Sequence, residues 1–224
     1  MRFFRILFLT TVVLAATLIL STAQAQDCRF GGTLSMNPEQ LAEGEPVRGN
    51  PDADLLVTEF FDPNCPHCQR FHPVTKKVLQ KYGDRIRLFM QPVPLWAFSR
   101  QQMQAMFIAK EKGKYYEMIE AQLESTNAGK GGMTTEQLVA LAEDIGIDPG
   151  WMRGELESGG KQSAVNRLTY EARKAGIQST PTLAIGKKIV GNRSASCISQ
   201  LIEQELAGGE TTSSASGATP DRGR

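Results

Sequence analysis

The pattern of hydrophobic positions divides the middle of the chain into a strand, a helix and a second strand. Leu55–Phe61 is a nearly continuous apolar run, rich in β-branched and aromatic residues, which predicts a buried strand. Apolar residues then recur at helical spacing and predict a helix over Pro66–Tyr82, with Gly83 where helices commonly end. Alternating apolar residues predict a second strand over 85–91.

A long, mostly helical block follows, and the chain then returns to strand. Thr134 and Gln137 form a capping box at the start of one helix, and Asp148 with Pro149 opens another. The expected helices of the block lie at 101–112, 115–123, 134–145, 148–156 and 163–175, before a hairpin over 182–190 and a closing helix over 195–206.

The N-terminal residues have the three parts of a secretory signal. Arg2 and Arg5 supply a positive start, 6–20 is an almost unbroken apolar run, and Ala-Gln-Ala at 23–25 is a small-x-small cleavage site. Residues 1–25 are therefore expected to be a signal peptide. The alternative is an uncleaved anchor, although the apolar core falls short of the roughly 20 residues that span a bilayer. Export predicts an oxidising compartment, with the periplasm as first choice.

The two ends of the remaining chain lack a clear hydrophobic period. Residues 26–54 are polar and turn-rich and too short for an independent domain, so we interpret them as an N-terminal extension. Residues 208–224 are rich in Ser, Thr and Gly and predict a disordered tail. One domain over 55–207 remains between them.

The charge balance bears on possible partners. Twenty-five basic residues face 24 acidic ones, a formal net charge of +1. This balance offers no electrostatic basis for binding nucleic acid or an acidic partner. No cofactor is expected either.

The strand at 55–61 leads directly into a Cys-x-x-Cys motif, in which a turn delivers two cysteines to the start of a helix. Cys65 would lie at the helix N-terminus, where unpaired N–H groups and the helix dipole favour a thiolate. Pro66 suits the first helical turn, and a protonated His67 would add positive charge beside the sulfur. Cys68 lies one turn later and can release a mixed disulfide formed at Cys65. A stabilised thiolate makes such a pair a strong oxidant.

Other interpretations of the motif are an inert structural disulfide, a zinc site or haem attachment. Zinc needs four ligands, but Cys28 and Cys197 are isolated and the only histidines are His67 and His72. Haem attachment needs His directly after the second Cys, where Gln69 stands. We therefore favour the redox motif and expect no metal.

Glu59 interrupts the apolar strand six residues before Cys65. A buried acid is uncommon unless it is paired or functional. Glu59 is interpreted either as a proton acceptor for the inner thiol, Cys68, or as a carboxylate that reaches solvent at a strand edge. His72, on the body of the helix, is interpreted as a surface or packing residue.

Thr180 and Pro181 open the strand at 182–185, where a proline would remove a ladder hydrogen bond. A cis peptide bond at Pro181 would explain this placement and expose the Thr180 backbone to an extended substrate. The alternative is a trans proline at a strand start.

The Cys-Pro-His-Cys motif, Glu59 and the Thr180-Pro181 pair together resemble the DsbA-like thiol:disulfide oxidoreductases of the thioredoxin superfamily, over about 55–206. The resemblance implies an α/β, thioredoxin-like fold with an inserted helical domain at about 92–176. It also implies that Cys65 is the nucleophile, Cys68 the resolving thiol and Pro181 a cis-proline.

Cys28 and Cys197 lie outside the family's minimal pattern. In an oxidising compartment they either form a second disulfide, or Cys197 is a small buried residue and Cys28 a free thiol.

The function expected from the resemblance is a dithiol oxidase that introduces disulfides into exported proteins and is reoxidised by a quinone-linked membrane partner. Thr180 instead resembles the residue found in isomerases of the DsbC and DsbG type, so an isomerase or reductase with a membrane thiol donor is the alternative. A non-catalytic chaperone or binding module on the same fold is a third.

Overall fold

The computed structural model describes residues 27–125 and 131–215, the last seven of them by their backbone alone. The strands are β1 Phe30–Thr33, β2 Arg48–Gly49, β3 Leu55–Phe61, β4 Ile86–Pro92, β5 Thr182–Ile185 and β6 Lys188–Val190. The helices are α1 Pro38–Ala42, α2 Pro66–Tyr82, α3 Ser99–Lys110, α4 Tyr115–Glu124, α5 Thr135–Asp144, α6 Pro149–Ser158, α7 Gln162–Lys174 and α8 Ala195–Ala215. The elements expected from hydrophobic spacing are therefore present, with most boundaries moved by one or two residues.

The described strands form one mixed sheet in the order β1-β6-β5-β3-β4-β2. Strand β3 pairs in parallel with β4 and antiparallel with β5, so it is central. From Leu56 to Phe61 every residue of β3 is buried, because helices cover both faces of the sheet. This central position explains the continuous apolar run, which has no solvent-facing side.

The segment before β3 completes the sheet at both edges. Strand β1 pairs with β6 at one edge, and the two residues of β2 pair with β4 at the other. Residues 26–54, expected to be a turn-rich extension, therefore contribute strands whose pairing the local sequence does not indicate. Gly49 in β2 has φ +89°, and a Cβ there would lie 2.4 Å from the carbonyl oxygen of Ile86. Only glycine fits this close approach of two backbones.

Helices α3–α7 lie between β4 and β5 in sequence, so the expected helical insertion is present. Its apolar residues share one core with α2, α8 and one face of the sheet. A smaller core on the other face joins α1 and α7 to residues such as Leu56 and Phe60. The capping box of Thr134 and Gln137 and the cap at Asp148 are both observed.

Helix α8 extends beyond Leu206 to Ala215, into the segment for which the sequence predicts disorder. Residues 216–224 and the expected signal peptide at 1–25 lie outside the described residues. Within the described part of the chain, no helix is both long enough and apolar enough to cross a bilayer.

Candidate active site

Cys65 lies at the junction between the central strand and helix α2. Strand β3 ends at Phe61, and the N–H of Cys65 donates to the carbonyl oxygen of Asp62 at 3.0 Å to close the turn. Cys65 is the N-cap of α2, and Pro66 follows as its first residue. Cys65 and Cys68 are both buried and both free, so the structure presents the dithiol form of the motif.

The two cysteines of the motif differ strongly in acidity. A hydrogen bond from the Cys68 thiol, helped by the backbone N–H groups of Cys68 and His67, lowers the pKa of Cys65 to about 5 against the opposing effect of burial. Burial, together with the same hydrogen bond to Cys65, raises the pKa of Cys68. At neutral pH Cys65 is therefore a thiolate and Cys68 a thiol. Only the thiolate is a nucleophile, so the geometry equips Cys65 for attack.

His67 acts on this thiolate through its backbone. Both Pro66 and His67 are exposed at the surface of the motif. The His67 ring is turned toward Arg70, with 3.1 Å between Nδ1 and the Arg70 Nη2. The backbone N–H group of His67 contributes to the low pKa of Cys65. The added effect of a protonated imidazole, expected from the sequence, stays a prediction.

Thr180 and Pro181 face the motif from the start of β5. The peptide bond between them is cis. Cys65 Sγ lies 3.4 Å from the carbonyl oxygen of Thr180, although the two residues are 115 positions apart in sequence. The structure thus brings together the two stretches that the sequence singled out, and an extended chain bound along Thr180 would pass next to the Cys65 sulfur.

Glu59 is completely buried in β3, so its carboxylate does not reach solvent at a strand edge. Its Oε2 accepts a hydrogen bond from the Thr75 hydroxyl at 2.6 Å, while its Oε1 has no hydrogen-bond partner within 27–125 and 131–215. Burial raises the pKa of Glu59 to about 7, although the hydrogen bond from Thr75 opposes the shift. A carboxyl group with this pKa both gives and takes a proton near neutral pH.

Sequence reasoning missed the buried polar residues around the turn. The Asp62 carboxylate accepts the N–H of Asn64 at 2.8 Å and that of Leu95 at 2.7 Å. The Asn64 amide donates to Ser99 and, at 2.6 Å, to Gln102 in α3. The available signal was two polar residues, Asp62 and Asn64, in the turn between a buried strand and a cysteine.

Thr75 was also missed, although it lies seven residues after Cys68 on the inner face of α2. A hydroxyl within an otherwise apolar helical stripe was the available signal. His72, expected to be a surface or packing residue, is buried, and neither ring nitrogen has a hydrogen-bond partner among the described residues.

Cys28 and Cys197 are joined in a disulfide, with 4.9 Å between their Cα atoms. Of the two arrangements open to these cysteines, the structure adopts the bridge, which fastens the N-terminal segment to α8. In the part of the chain that the structure describes, no three His, Cys, Asp or Glu side chains group as ligands for a metal.

Comparison with known proteins agrees with this geometry. A family model described as Thioredoxin matches residues 41–204. The chain belongs to the thioredoxin family. This member of the family is also similar to the disulfide bond formation protein D of Bacillus subtilis, with 25% identity over 186 residues that cover 79% of this chain and 84% of that protein.

Among solved structures, oxidised BdbD from Bacillus subtilis superimposes with a TM-score of 0.72 and 25% identity. The match covers 79% of this thioredoxin-family chain and all of BdbD. The DsbA-like fold with its inserted helices is therefore confirmed.

Two further relatives are much longer than the stretch that they share with this chain. The Na⁺/H⁺ antiporter NhaA of Herminiimonas arsenicoxydans is 22% identical over 177 residues, which cover 79% of this chain and 28% of the antiporter. A putative protein-disulfide oxidoreductase of Rickettsia bellii is 32% identical over 75 residues, 29% of its length. The chain thus spans less than a third of these relatives.

Proposed function

We propose that this protein is a thiol:disulfide oxidase that introduces disulfides into exported proteins. The observation that carries the proposal is the asymmetry of the motif, with Cys65 a thiolate whose pKa is about 5 and Cys68 a buried thiol. A thiolate that is stable at neutral pH favours the reduced enzyme, which makes the Cys65–Cys68 disulfide a strong oxidant.

The reaction transfers a disulfide from the enzyme to its substrate. A substrate thiolate attacks Cys65 of the oxidised enzyme, a mixed disulfide forms, and the electron pair of the broken bond goes to the Cys68 sulfur, which takes a proton. A second substrate thiolate then attacks the substrate sulfur of the mixed disulfide, and Cys65 leaves as a thiolate. The substrate loses two electrons and the enzyme gains them.

Thr180 would hold the substrate during this exchange. Its carbonyl oxygen lies 3.4 Å from Cys65 Sγ and stands beside the cis bond to Pro181. An extended polypeptide pairing with this backbone adds a strand at the site, which gives affinity without selecting a side chain. The substrates are therefore unfolded or partly folded proteins with free thiols.

The decisive experiment is the reduction potential of the Cys65–Cys68 couple in glutathione buffers, together with oxidation of reduced ribonuclease. We expect a potential nearer to −120 mV than to −270 mV, the values of a strong oxidase and of a reductase. Cys65→Ser should abolish turnover. A potential near that of the reductase would overturn the assignment as an oxidase.

An isomerase or reductase is the second candidate, because Thr180 precedes the proline as in the isomerases that the sequence resembles. Refolding of scrambled ribonuclease separates the two. An isomerase rearranges scrambled disulfides when supplied reduced, whereas an oxidase acts only on reduced ribonuclease.

The periplasm is the proposed location, and it rests on the signal-like residues 1–25. The Cys28–Cys197 disulfide agrees with an oxidising compartment. A quinone-linked membrane oxidase would return the Cys65–Cys68 pair to its disulfide form. Recovery of the protein in the periplasmic fraction tests the location. The redox state of the pair in that fraction tests its reoxidation, which a mainly reduced pair would contradict.

A further inference from the structure

The carboxyl group of Glu59 is held from one side only. Glu59 is fully buried, and the Thr75 hydroxyl donates to its Oε2 at 2.6 Å. Its Oε1 is also buried and has no hydrogen-bond partner in the part of the chain that the structure describes. Thr75 is itself buried on α2, so solvent does not compete for its hydroxyl. The two oxygens of one carboxyl group therefore differ, one of them being fixed and the other open to a proton.

Helix α2 links this carboxyl group to the redox motif. Cys68 and Thr75 are seven residues apart and both buried, so they lie two turns apart on the same inner face of the helix. Two turns correspond to roughly 10 Å along the helix axis, which is more than one direct hydrogen bond spans. A water molecule between Oε1 and the Cys68 sulfur would complete the path.

We propose that Thr75 is a positioning residue for proton exchange at Cys68, because its hydroxyl holds Oε2 of Glu59 and leaves Oε1 to carry the proton. The inference rests on the proposed function, since the proton moves only when the Cys65–Cys68 disulfide opens or closes. When a substrate thiolate attacks Cys65, the bond between the two sulfurs breaks and the pair of electrons goes to Cys68. The proton on Oε1 passes to Cys68, which becomes a thiol, and Glu59 becomes a carboxylate.

The same hydroxyl adjusts the acidity of Glu59. A hydrogen bond donated to the carboxylate stabilises the ionised form, so removing it should raise the pKa of Glu59. A hydrogen bond to a charged group is worth enough to move this pKa by about one unit. The pH dependence of the rate of Cys68 release should shift with the pKa of Glu59, because this step uses protonated Glu59.

The test compares Thr75→Val, which removes the hydroxyl at nearly constant volume, with Thr75→Ser, which retains it. Thr169→Val in α7 is the matched control, because this buried hydroxyl bonds to the carbonyl oxygen of Val165 in its own helix. The pKa of Glu59 is measured by carbon-13 NMR of labelled glutamate carboxyls in both redox forms, with Glu59→Gln to assign the signal. The rate at which glutathione reduces the oxidised enzyme is recorded over the same pH range. Each rate is divided by the concentration of glutathione thiolate at that pH.

We expect Thr75→Val to raise both the NMR midpoint and the kinetic midpoint by about one pH unit. Thr75→Ser and Thr169→Val should keep the wild-type midpoints. An unchanged NMR midpoint in Thr75→Val would overturn the inference, and so would a shifted NMR midpoint with an unchanged kinetic profile. If the wild-type protein shows no oxidase turnover, the proposed function is wrong. The NMR titration tests the role of Thr75 separately, because it needs no substrate.

Discussion

At the scale of single residues, the chemistry depends on the lowered pKa of Cys65 and on the raised pKa of Glu59. Cys65 is acidic because the Cys68 thiol and two N–H groups at the start of α2 stabilise its negative charge. Glu59 is a weaker acid than usual because burial penalises its carboxylate. A nucleophile that is charged at neutral pH thus shares the site with an acid that is about half protonated there.

The thiolate absorbance at 240 nm should therefore titrate with a midpoint near pH 5 in the reduced protein. Cys68→Ala removes the hydrogen bond that contributes most, and the midpoint should rise by about one to two units. Alkylation of Cys65 by iodoacetamide should follow the same two curves. A wild-type midpoint near that of free cysteine would contradict this account of the thiolate.

The raised pKa of Glu59 also makes stability depend on pH. Between about 4.5 and about 7 the folded protein keeps a proton that the unfolded chain releases, so the free energy of unfolding falls as pH rises through this range. The full effect is about 3 kcal/mol. Glu59→Gln should remove that fall, so the variant gains stability relative to wild type as pH rises from 5 to 8. Urea unfolding at several pH values measures the difference, and parallel curves for the two proteins would refute the assignment.

At the scale of elements, the turn between β3 and α2 is tied to the helical insertion by buried polar side chains. Asn64 donates to Gln102 Oε1 at 2.6 Å, and the N–H of Met133 donates to the same oxygen at 3.1 Å. Gln102 is fully buried in α3. The insertion therefore helps to fix the turn that presents Cys65, rather than only covering the sheet.

Gln102→Leu should destabilise the protein by about 2 kcal/mol, because two buried N–H groups lose their shared acceptor. Gln80→Leu, at an exposed position of α2, is the matched control and should change stability by no more than about 0.5 kcal/mol. Urea unfolding of both oxidised variants makes the comparison. Equal stabilities would mean that the network around Gln102 contributes little.

At the scale of the whole molecule, the Cys28–Cys197 disulfide closes a loop of nearly the whole described chain, since its two cysteines are 169 positions apart in sequence. Cross-linking so distant a pair removes many conformations from the unfolded chain. The bridge also attaches the segment that carries β1 to α8. It therefore helps to hold this short edge strand against the sheet.

The double variant Cys28→Ala/Cys197→Ala should lose about 3–5 kcal/mol of stability. Measuring it in a Cys65→Ser/Cys68→Ser background leaves this disulfide as the only difference between the two proteins. The same double variant with an intact motif should keep the Cys65 midpoint near pH 5, because the groups that lower the pKa of Cys65 lie at the motif and at Thr180. A loss below about 1 kcal/mol would show that the bridge does not constrain the unfolded chain.

The sequence by itself determined the local elements and the reactive motif. The apolar run of β3, the helical stripe of α2 and the spacing of Cys65 and Cys68 are all set by neighbouring residues, so they were predictable. Pairing of β1 and β2 at the sheet edges was not, because two to four residues carry too little pattern to specify a partner. Only the tertiary structure placed Thr180 beside Cys65 and Thr75 against Glu59. The Thr75 contact limits the rise in the pKa of Glu59 that burial causes. Both contacts depend on how distant segments pack, which local spacing does not encode.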